Sequence, residues 1–297
     1  MSLSSVESNA MARYRLFALT MLAMLAFAGN SLLCRAALDH TRIDAASFTT
    51  IRLLSGALAL WSIVRLRGAA VADAGTKAGA GVGNWASAFA LFVYAAGFSF
   101  AYAGLPAATG ALLLFGAVQA TMIGHALWRG ERLAFLQWLG VVMALGGLIA
   151  LLLPGLSAPP LPSAGLMLCA GIAWGVYSLR GKGAGDPTQV TLGNFLRAVP
   201  FALALSVLML GRTRLDTAGV GYAVASGALT SGLGYAIWYT ALPALKSTQA
   251  ATVQLSVPLI AAFGAALWLG EAITLRLLLV SAAIVGGIAL VIFRKQT

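Results

Sequence analysis

The residues able to handle a ligand are aromatic and amide side chains, and they recur at helical spacing. Tyr94, Phe98 and Tyr102 stand four apart, so one helix face carries all three rings. Trp174 and Tyr177 are three apart on a later segment, and Asn30 and Ser31 occupy the matching stretch of the first. Gln119 and Gln254 add two more amides. Taken together, Asn30, Tyr94, Phe98, Gln119, Trp174, Tyr177 and Gln254 would offer ring faces for stacking and amides for a carboxylate or ammonium, with little fixed charge. Such a cavity suits amphipathic or zwitterionic organic molecules with apolar side chains. A plainer use competes with it, because tyrosine stripes pack helical bundles and terminal aromatics form interface belts. Trp85, Trp128 and Trp268, near segment ends, fit the belt.

Ionisable groups are scarce where chemistry would need them. Asp39, Asp44, Asp73, Asp186 and Asp216 fall in expected loops or at helix ends, and Glu131 and Glu271 where segments reach the interface. Proton relays inside membranes use acidic or histidine side chains at depth; their absence points to facilitated transport. His125 is the one titratable candidate, against a satisfied interfacial histidine. Arg52 and Arg197 lie inside apolar segments, where an unpaired arginine costs at least about 2.5 kcal/mol on insertion scales. Arg52 is about 10 Å into its helix at the usual rise per residue. The two arginines are expected as mouth charges that attract carboxylates, or as side chains snorkelling to headgroups and helix-end carbonyls.

Other chemistries fail for want of partners. Cys34 and Cys169 are far apart in apolar segments and read as small core residues. His40 and His125 cannot form a metal site alone, so neither metal nor cofactor is expected. Gly183-Ala184-Gly185-Asp186 matches the GxGD string of intramembrane aspartyl proteases, but no second intramembrane aspartate faces it. Gly181-x-Gly183-x-Gly185 lacks the strand and spacing of a dinucleotide fingerprint. No HExxH or GxSxG string occurs. An enzyme is not expected.

The elements that must position these residues are membrane helices. Hydrophobic residues make up 60% and charged residues 9% of the 297, with a mean hydropathy of +0.91. A soluble domain carries roughly 25% charge, so lipid must cover this exterior. A window of about 20 apolar residues finds ten segments, at 16–34, 45–65, 84–104, 107–128, 134–153, 164–180, 189–210, 218–240, 247–268 and 274–293. Arg13, Arg15 and the apolar run ending in Ala26-Phe27-Ala28 imitate a cleavable secretory signal. The first segment is nonetheless expected to be retained, because it has a counterpart in the second half.

The formal net charge of +11 is spread over short loops, which fits anionic lipid headgroups and not nucleic acid. With the N-terminus cytoplasmic, that side holds Arg13, Arg15, Arg65, Arg67, Lys77, Arg129, Arg132, Arg180, Lys182, Lys246, Arg294 and Lys295. The other side holds only Arg35, Arg42, Arg212, Arg214 and Arg276. Both termini are therefore expected in the cytoplasm.

Internal repetition organises the chain. Gly97-x4-Tyr102-x2-Leu105-Pro106 recurs as Gly234-x4-Tyr239-x2-Leu242-Pro243, offset by 137. Ala126-Leu127-Trp128-x-Gly130-Glu131 recurs as Ala266-Leu267-Trp268-x-Gly270-Glu271, and Gly146-Gly147 as Gly286-Gly287, both offset by 140. Arg52-x4-Ala57-Leu58-Ala59-Leu60 recurs as Arg197-x4-Ala202-Leu203-Ala204-Leu205, offset by 145, as are Arg35 and Arg180. Five helices per copy is an odd number, so the second copy enters from the opposite side, the arrangement of alternating-access transporters. The expected plan is a cytoplasmic tail over 1–15, a first repeat over 16–154 and a second over 164–293. Pro200 and Pro258 are expected to kink or gate their helices. Gly140, Ala144 and Gly147, with Ala283 and Gly287, allow a close helix seam, either an internal buttress or the interface of a homodimer.

Pro258 to Glu271, PLIAAFGAALWLGE, continuing into Ala272-Ile273-Thr274, resembles the EamA signature of the drug/metabolite transporter superfamily. Trp128-x-Gly130-Glu131 is its first-half copy, and Ala173-Trp174-Gly175 is similar to the motif that opens the second repeat. The resemblance implies an all-α, ten-helix carrier of the bacterial inner membrane, a central cavity and export of metabolites. Within the group the chain looks most like YddG-type exporters of aromatic amino acids. It departs from the pattern at Val118, where the second half has Pro258, and over Phe115-Gly116-Ala117-Val118-Gln119, where an Asn-Tyr-rich stretch belongs. The implied cargo is an amino acid with an aromatic or other apolar side chain. Nucleotide-sugar or phosphate-ester exchange is the second choice, since it should show several inward lysines or arginines. A channel or scramblase is the rival of another class.

Overall fold

The computed structural model describes residues 3–72, 83–130, 132–153, 158–181, 186–245 and 253–293. Asp73, Lys77, Glu131, Lys182, Lys246, Arg294 and Lys295, together with Gly183 to Gly185 of the GxGD string, lie outside them. The described chain forms ten helices and no strand. They are α1 (Leu3–His40), α2 (Ala45–Ala72), α3 (Trp85–Tyr102), α4 (Ala107–Trp128), α5 (Phe135–Leu152), α6 (Leu161–Gly181) and α7 (Pro187–Leu208). The eighth, α8, runs over Thr217–Ala225, widens to a π-helix over Ser226–Leu233 and tightens again over Gly234–Ala241. Last come α9, Ser256–Gly264 with a π-helical end over Ala265–Leu269, and α10, Leu275–Phe293. By length and composition α1 to α7 can each cross a membrane. The protein is an all-α polytopic membrane protein of about ten helices.

Most expected segments lie within a few residues of these helices. The largest difference is α1, which continues through the expected 1–15 tail and beyond residue 34. No proline interrupts the run from Leu3 to His40. Short polar residues then end or begin helices. Asn84 accepts from Ser87 N at 2.9 Å, and Asp186, followed by Pro187, accepts from Gln189 N at 2.8 Å.

Apolar side chains fill the core and also cover the outside. Leu139, Val142 and Ile149 on α5 and Leu278 and Leu279 on α10 are exposed, whereas Asn30, Thr49, Arg52, Ser99, Ser226 and Ser231 are buried. Lipid solvates the first set, and polar groups must find partners inside the bundle. Of the two cysteines, Cys34 is core as expected, but Cys169 is exposed on its helix.

The halves run in opposite directions. Arg35, near the end of α1, donates to Tyr102 O at the end of α3, and Glu271, after α9, accepts from Ala107 N at the start of α4. Arg276, at the start of α10, caps the carbonyls of Ala150, Leu151 and Leu153 at the end of α5. One end of the bundle thus gathers the ends of odd-numbered helices and the starts of even-numbered ones. So α1 ends where α6 begins, and α4 begins where α9 ends. Packing follows the same exchange: α3 on α6 answers α8 on α1, α4 on α6 answers α9 on α1, and α3 on α7 answers α8 on α2.

The self-paired contacts are α2 on α7 and α5 on α10. Between α2 and α7, Thr50 Oγ1 donates to Ala202 O at 3.0 Å and lies 2.8 Å from Ser206 Oγ. The small-residue seam is internal: a Cβ on Gly287 would come 2.5 Å from Gly140 O and 2.7 Å from Ala144 N. It therefore joins α5 to α10 as a buttress within one chain.

Two ties close the end that holds Arg35. Gly270 turns left-handed (φ +66°) after α9, which ends the helix and carries Glu271 back over the bundle. Glu271 then pairs with Arg35 at 3.2 Å and caps α4 through Ala107 N at 2.8 Å. The second tie is reciprocal: Arg214 N donates to Asp44 Oδ2 at 2.9 Å and Arg42 N to Asp216 Oδ2 at 2.6 Å. Burial opposes ionisation of Asp44, but the N–H groups of Arg214, Ser47 and Ala46 outweigh it and hold its carboxyl below the usual range. The N–H groups of Arg42 and Gly219 do the same for exposed Asp216.

Three outcomes are expected. Gly286→Ala, with nothing within 4 Å of the added Cβ, should raise stability by about 0.5–1 kcal/mol. Gly287→Ala should lower it by about 1–3 kcal/mol through overpacking, and thermal melts of the pair in detergent read the difference. Glu271→Ala and Arg35→Ala should each cost about 1–3 kcal/mol, and the double variant should lose less than their sum. Because the folded pKa of Asp44 is depressed, its contribution is complete above the ordinary carboxylate pKa and is lost as pH falls through the folded value. Melting temperature should therefore fall in acid more for wild type than for Asp44→Asn.

Candidate functional site

The centre of the bundle is built where α1, α2, α3, α6 and α8 meet, and its keystone is Arg52. This side chain is 2% exposed. The expectation that it serves a mouth or snorkels to a headgroup is corrected: helices surround it, and its head is held among neutral oxygens. Nη2 donates to Tyr94 Oη at 3.0 Å and Nε to Ser231 Oγ at 3.4 Å. Its Cζ lies 4.9 Å from the Phe98 ring centre and 5.2 Å from that of Tyr94, within cation–π range. No carboxylate neutralises it among the described residues, and Nη1 has no hydrogen-bond partner.

Local backbone geometry makes this possible. A Cβ on Gly227 would collide with Arg52 O and Ser55 Oγ, so glycine is what lets α8 lie against α2 here. The π-helical stretch starts at Ser226 and spans Thr230 and Ser231, a widening common at functional sites. Ser226 Oγ donates to Asn30 Oδ1 at 2.7 Å and Thr230 Oγ1 lies 3.3 Å from the same oxygen. With Oδ1 so engaged, Asn30 Nδ2 donates to Tyr94 Oη at 3.2 Å.

Aromatic rings continue the cluster. Trp174, half-buried, sits 4.7 Å from Tyr94, 5.1 Å from Tyr235 and 5.5 Å from Tyr177, centre to centre. Phe27, Asn30, Tyr94, Phe98, Trp174 and Tyr235 line a common space of about 20 Å³, room for about one water. Asn30, Tyr94, Phe98, Trp174 and Tyr177 thus come together as one centre, although Tyr177 stands behind Trp174 and accepts from Asn194 Nδ2 at 3.5 Å.

The remaining candidates lie elsewhere. Gln119 lines a separate, largely apolar cavity of about 250 Å³ with Trp138, Leu145 and Ile288, between α4, α5 and α10. Gln254 is half-buried just before α9. Pro258 is in the first turn of α9; with no N–H to give, it cannot bond Gln254 O, and the helix breaks at Leu255. Pro200 is exposed inside α7, which stays helical through it. Arg197 donates to Gly193 O at 3.0 Å and lies 6.0 Å from the Trp85 ring, so it is satisfied on its own helix, near the bundle's surface.

Sequence reasoning missed Tyr235 and the Ser226–Thr230–Ser231 group. The 137-residue offset carries the signal for two of them, since it maps Phe98 onto Tyr235 and Tyr94 onto Ser231. Arg35 and Glu271 were also unassigned; they line a larger vestibule, about 350 Å³, with Pro106, Thr109 and Arg276.

Comparison with known proteins agrees with this architecture. The model of the EamA-like transporter family matches residues 161–293. The uncharacterized protein PA1977 of Pseudomonas aeruginosa is 58% identical over 278 residues, covering 94% of each chain. The threonine/homoserine exporter RhtA of Escherichia coli is 30% identical over 165 residues, 54% of this chain and 55% of that exporter. A solved crystal structure aligns over 92% of this chain and 97% of its own with a TM-score of 0.64; at 18% identity it carries the fold alone. By the family match, residues 161–293, the second half of the chain, belong to the EamA-like transporter family.

Proposed function

We propose that this membrane transporter exports amino acids, preferentially those with aromatic or other apolar side chains, by alternating access through the Trp174 centre. The observation that carries the reading is the aromatic and amide cluster between the two oppositely directed halves, with room for about one water, beside a vestibule of about 350 Å³ at one end. A constricted centre between two oppositely directed halves is what a carrier needs, because a channel requires a continuous path. Similarity to a threonine/homoserine exporter over about half of each chain supports amino acids as cargo. Stacking on Trp174 and Tyr235 supports apolar or aromatic side chains. The carrier is read with both termini cytoplasmic and the Arg35–Glu271 end outward, in keeping with the loop charges. The repeats are taken as 16–154 and 164–293. No second subunit is needed to complete the site.

A phosphate-ester cargo ranks second, because Arg52 is the single buried guanidinium among the described residues and Arg197 is engaged with backbone. Transport is read as facilitated, since the carboxylates described lie in loops and at helix ends.

The test is a substrate panel in proteoliposomes, comparing phenylalanine, tryptophan, threonine and homoserine with nucleotide sugars. Saturable counterflow of amino acids is expected, reduced about tenfold by Trp174→Ala, which is about 1.4 kcal/mol of lost stacking. Flux confined to nucleotide sugars, or single-channel currents, would reject the reading. Uphill accumulation driven by an imposed pH gradient would reject facilitated transport.

A further inference from the structure

We propose that Arg52 and Tyr94 form a carboxylate seat, the element that orients the cargo; this rests on the exporter reading above. The inference begins with hydrogens that have nowhere to go. Tyr94 Oη already accepts from Arg52 Nη2 at 3.0 Å and from Asn30 Nδ2 at 3.2 Å. A phenol oxygen that accepts twice in this way still has its own hydrogen to place, and Tyr94 lines the central space. Arg52 Nη1 is likewise buried without a partner. Nη1 and Nη2 share one carbon, so the free guanidinium N–H groups and the free phenol O–H belong to one neighbourhood.

This neighbourhood carries a full positive charge with no acid to balance it among the described residues. Leaving a charged donor buried and unpaired is unfavourable. An anion with acceptor oxygens satisfies Nη1 and balances the charge together, and a planar carboxylate supplies two such oxygens. Tyr94 lines the central space, while Arg52 stands behind it. Tyr94 therefore meets the cargo first, and Arg52 polarises its hydroxyl and holds the charge.

The same charge repels an ammonium. In a zwitterion the ammonium is placed away from Arg52, over the ring faces of Trp174 and Tyr235, whose centres are 5.1 Å apart. The seat thus distinguishes an amino acid from the corresponding amine or amide, leaving the side chain to the apolar walls.

Full-length protein in proteoliposomes, given phenylalanine or phenylalaninamide and threonine or threoninamide, tests this. Each pair keeps side chain and ammonium and removes only the carboxylate. Wild type should prefer each acid over its amide by about tenfold or more. Tyr94→Phe and Arg52→Gln should bring that ratio close to one while amide flux persists, and Arg52→Lys should restore part of it. A wild-type ratio near one, with saturable flux of both, overturns the seat and leaves the exporter reading standing. An unchanged ratio in Arg52→Gln and Tyr94→Phe also overturns it. Absence of saturable flux for every acid and amide in wild type overturns both. The wild-type ratio decides the matter even if a variant fails to fold.

Discussion

A guanidinium enclosed by helices in a lipid-covered bundle has to be solvated by protein, and among the described residues no acid does it. That requirement organises the centre. Arg52 recruits the phenol of Tyr94, the hydroxyl of Ser231 and two ring faces. Tyr94 then recruits Asn30, whose other amide atom is held by Ser226. In the absence of water each of these bonds is worth more than it would be at a surface, and each unmet donor costs more. The π-helical widening of α8 and the glycine at 227 are local irregularities that let this network close. Two propensities are set aside there, regular α-helix and a side chain at every position, in favour of satisfying one charge.

The network also shows how a duplicated fold acquires a single site. Tyr94 and Ser231 are equivalents by the 137-residue offset, and both bond to Arg52. The arginine thus draws on the same position of both halves. Its own equivalent, Arg197, does nothing comparable: it bonds a carbonyl one turn back and lies against Trp85. Equivalent residues can diverge in this way because the backbone exchange, α3 with α8 and α2 with α7, is kept by small residues and apolar packing that tolerate changes of polar identity.

Helices and their inversion were legible in the sequence because lipid imposes length and apolarity on each span, and repetition exposes the duplication. The rings of Tyr94, Phe98 and Trp174 were legible because their spacing fixes a shared face. Which face meets which helix was not, so Gln119, on a segment that also borders the centre, falls into a separate cavity beside Trp138. The fate of Arg52 was misread for a related reason. Depth along a helix says how far a side chain lies from the interface, but not whether neighbours offer it oxygens. Those oxygens come from α3 and α8, and α8 departs from α-helical geometry at the residues concerned. Glu271 follows the end of α9, and its bonds to Arg35 and Ala107 depend on the left-handed turn at Gly270, which a motif marks without saying where the carboxylate goes.

For a carrier the magnitudes matter as much as the contacts. The Arg35 end is closed by the Glu271 pair, one helix cap and the backbone bonds of Asp44 and Asp216. Such bonds contribute about 1–3 kcal/mol each at most, and several become available to water once that end opens. The difference between closed and open states is therefore small enough for a ligand to shift, provided that it binds the two states unequally. An uncompensated Arg52 supplies that inequality. An anion that neutralises it gains most where the centre is dry and closed, and less where water can solvate the guanidinium instead. On the proposed carboxylate seat, closure around the cargo and the charge at the centre are then one device.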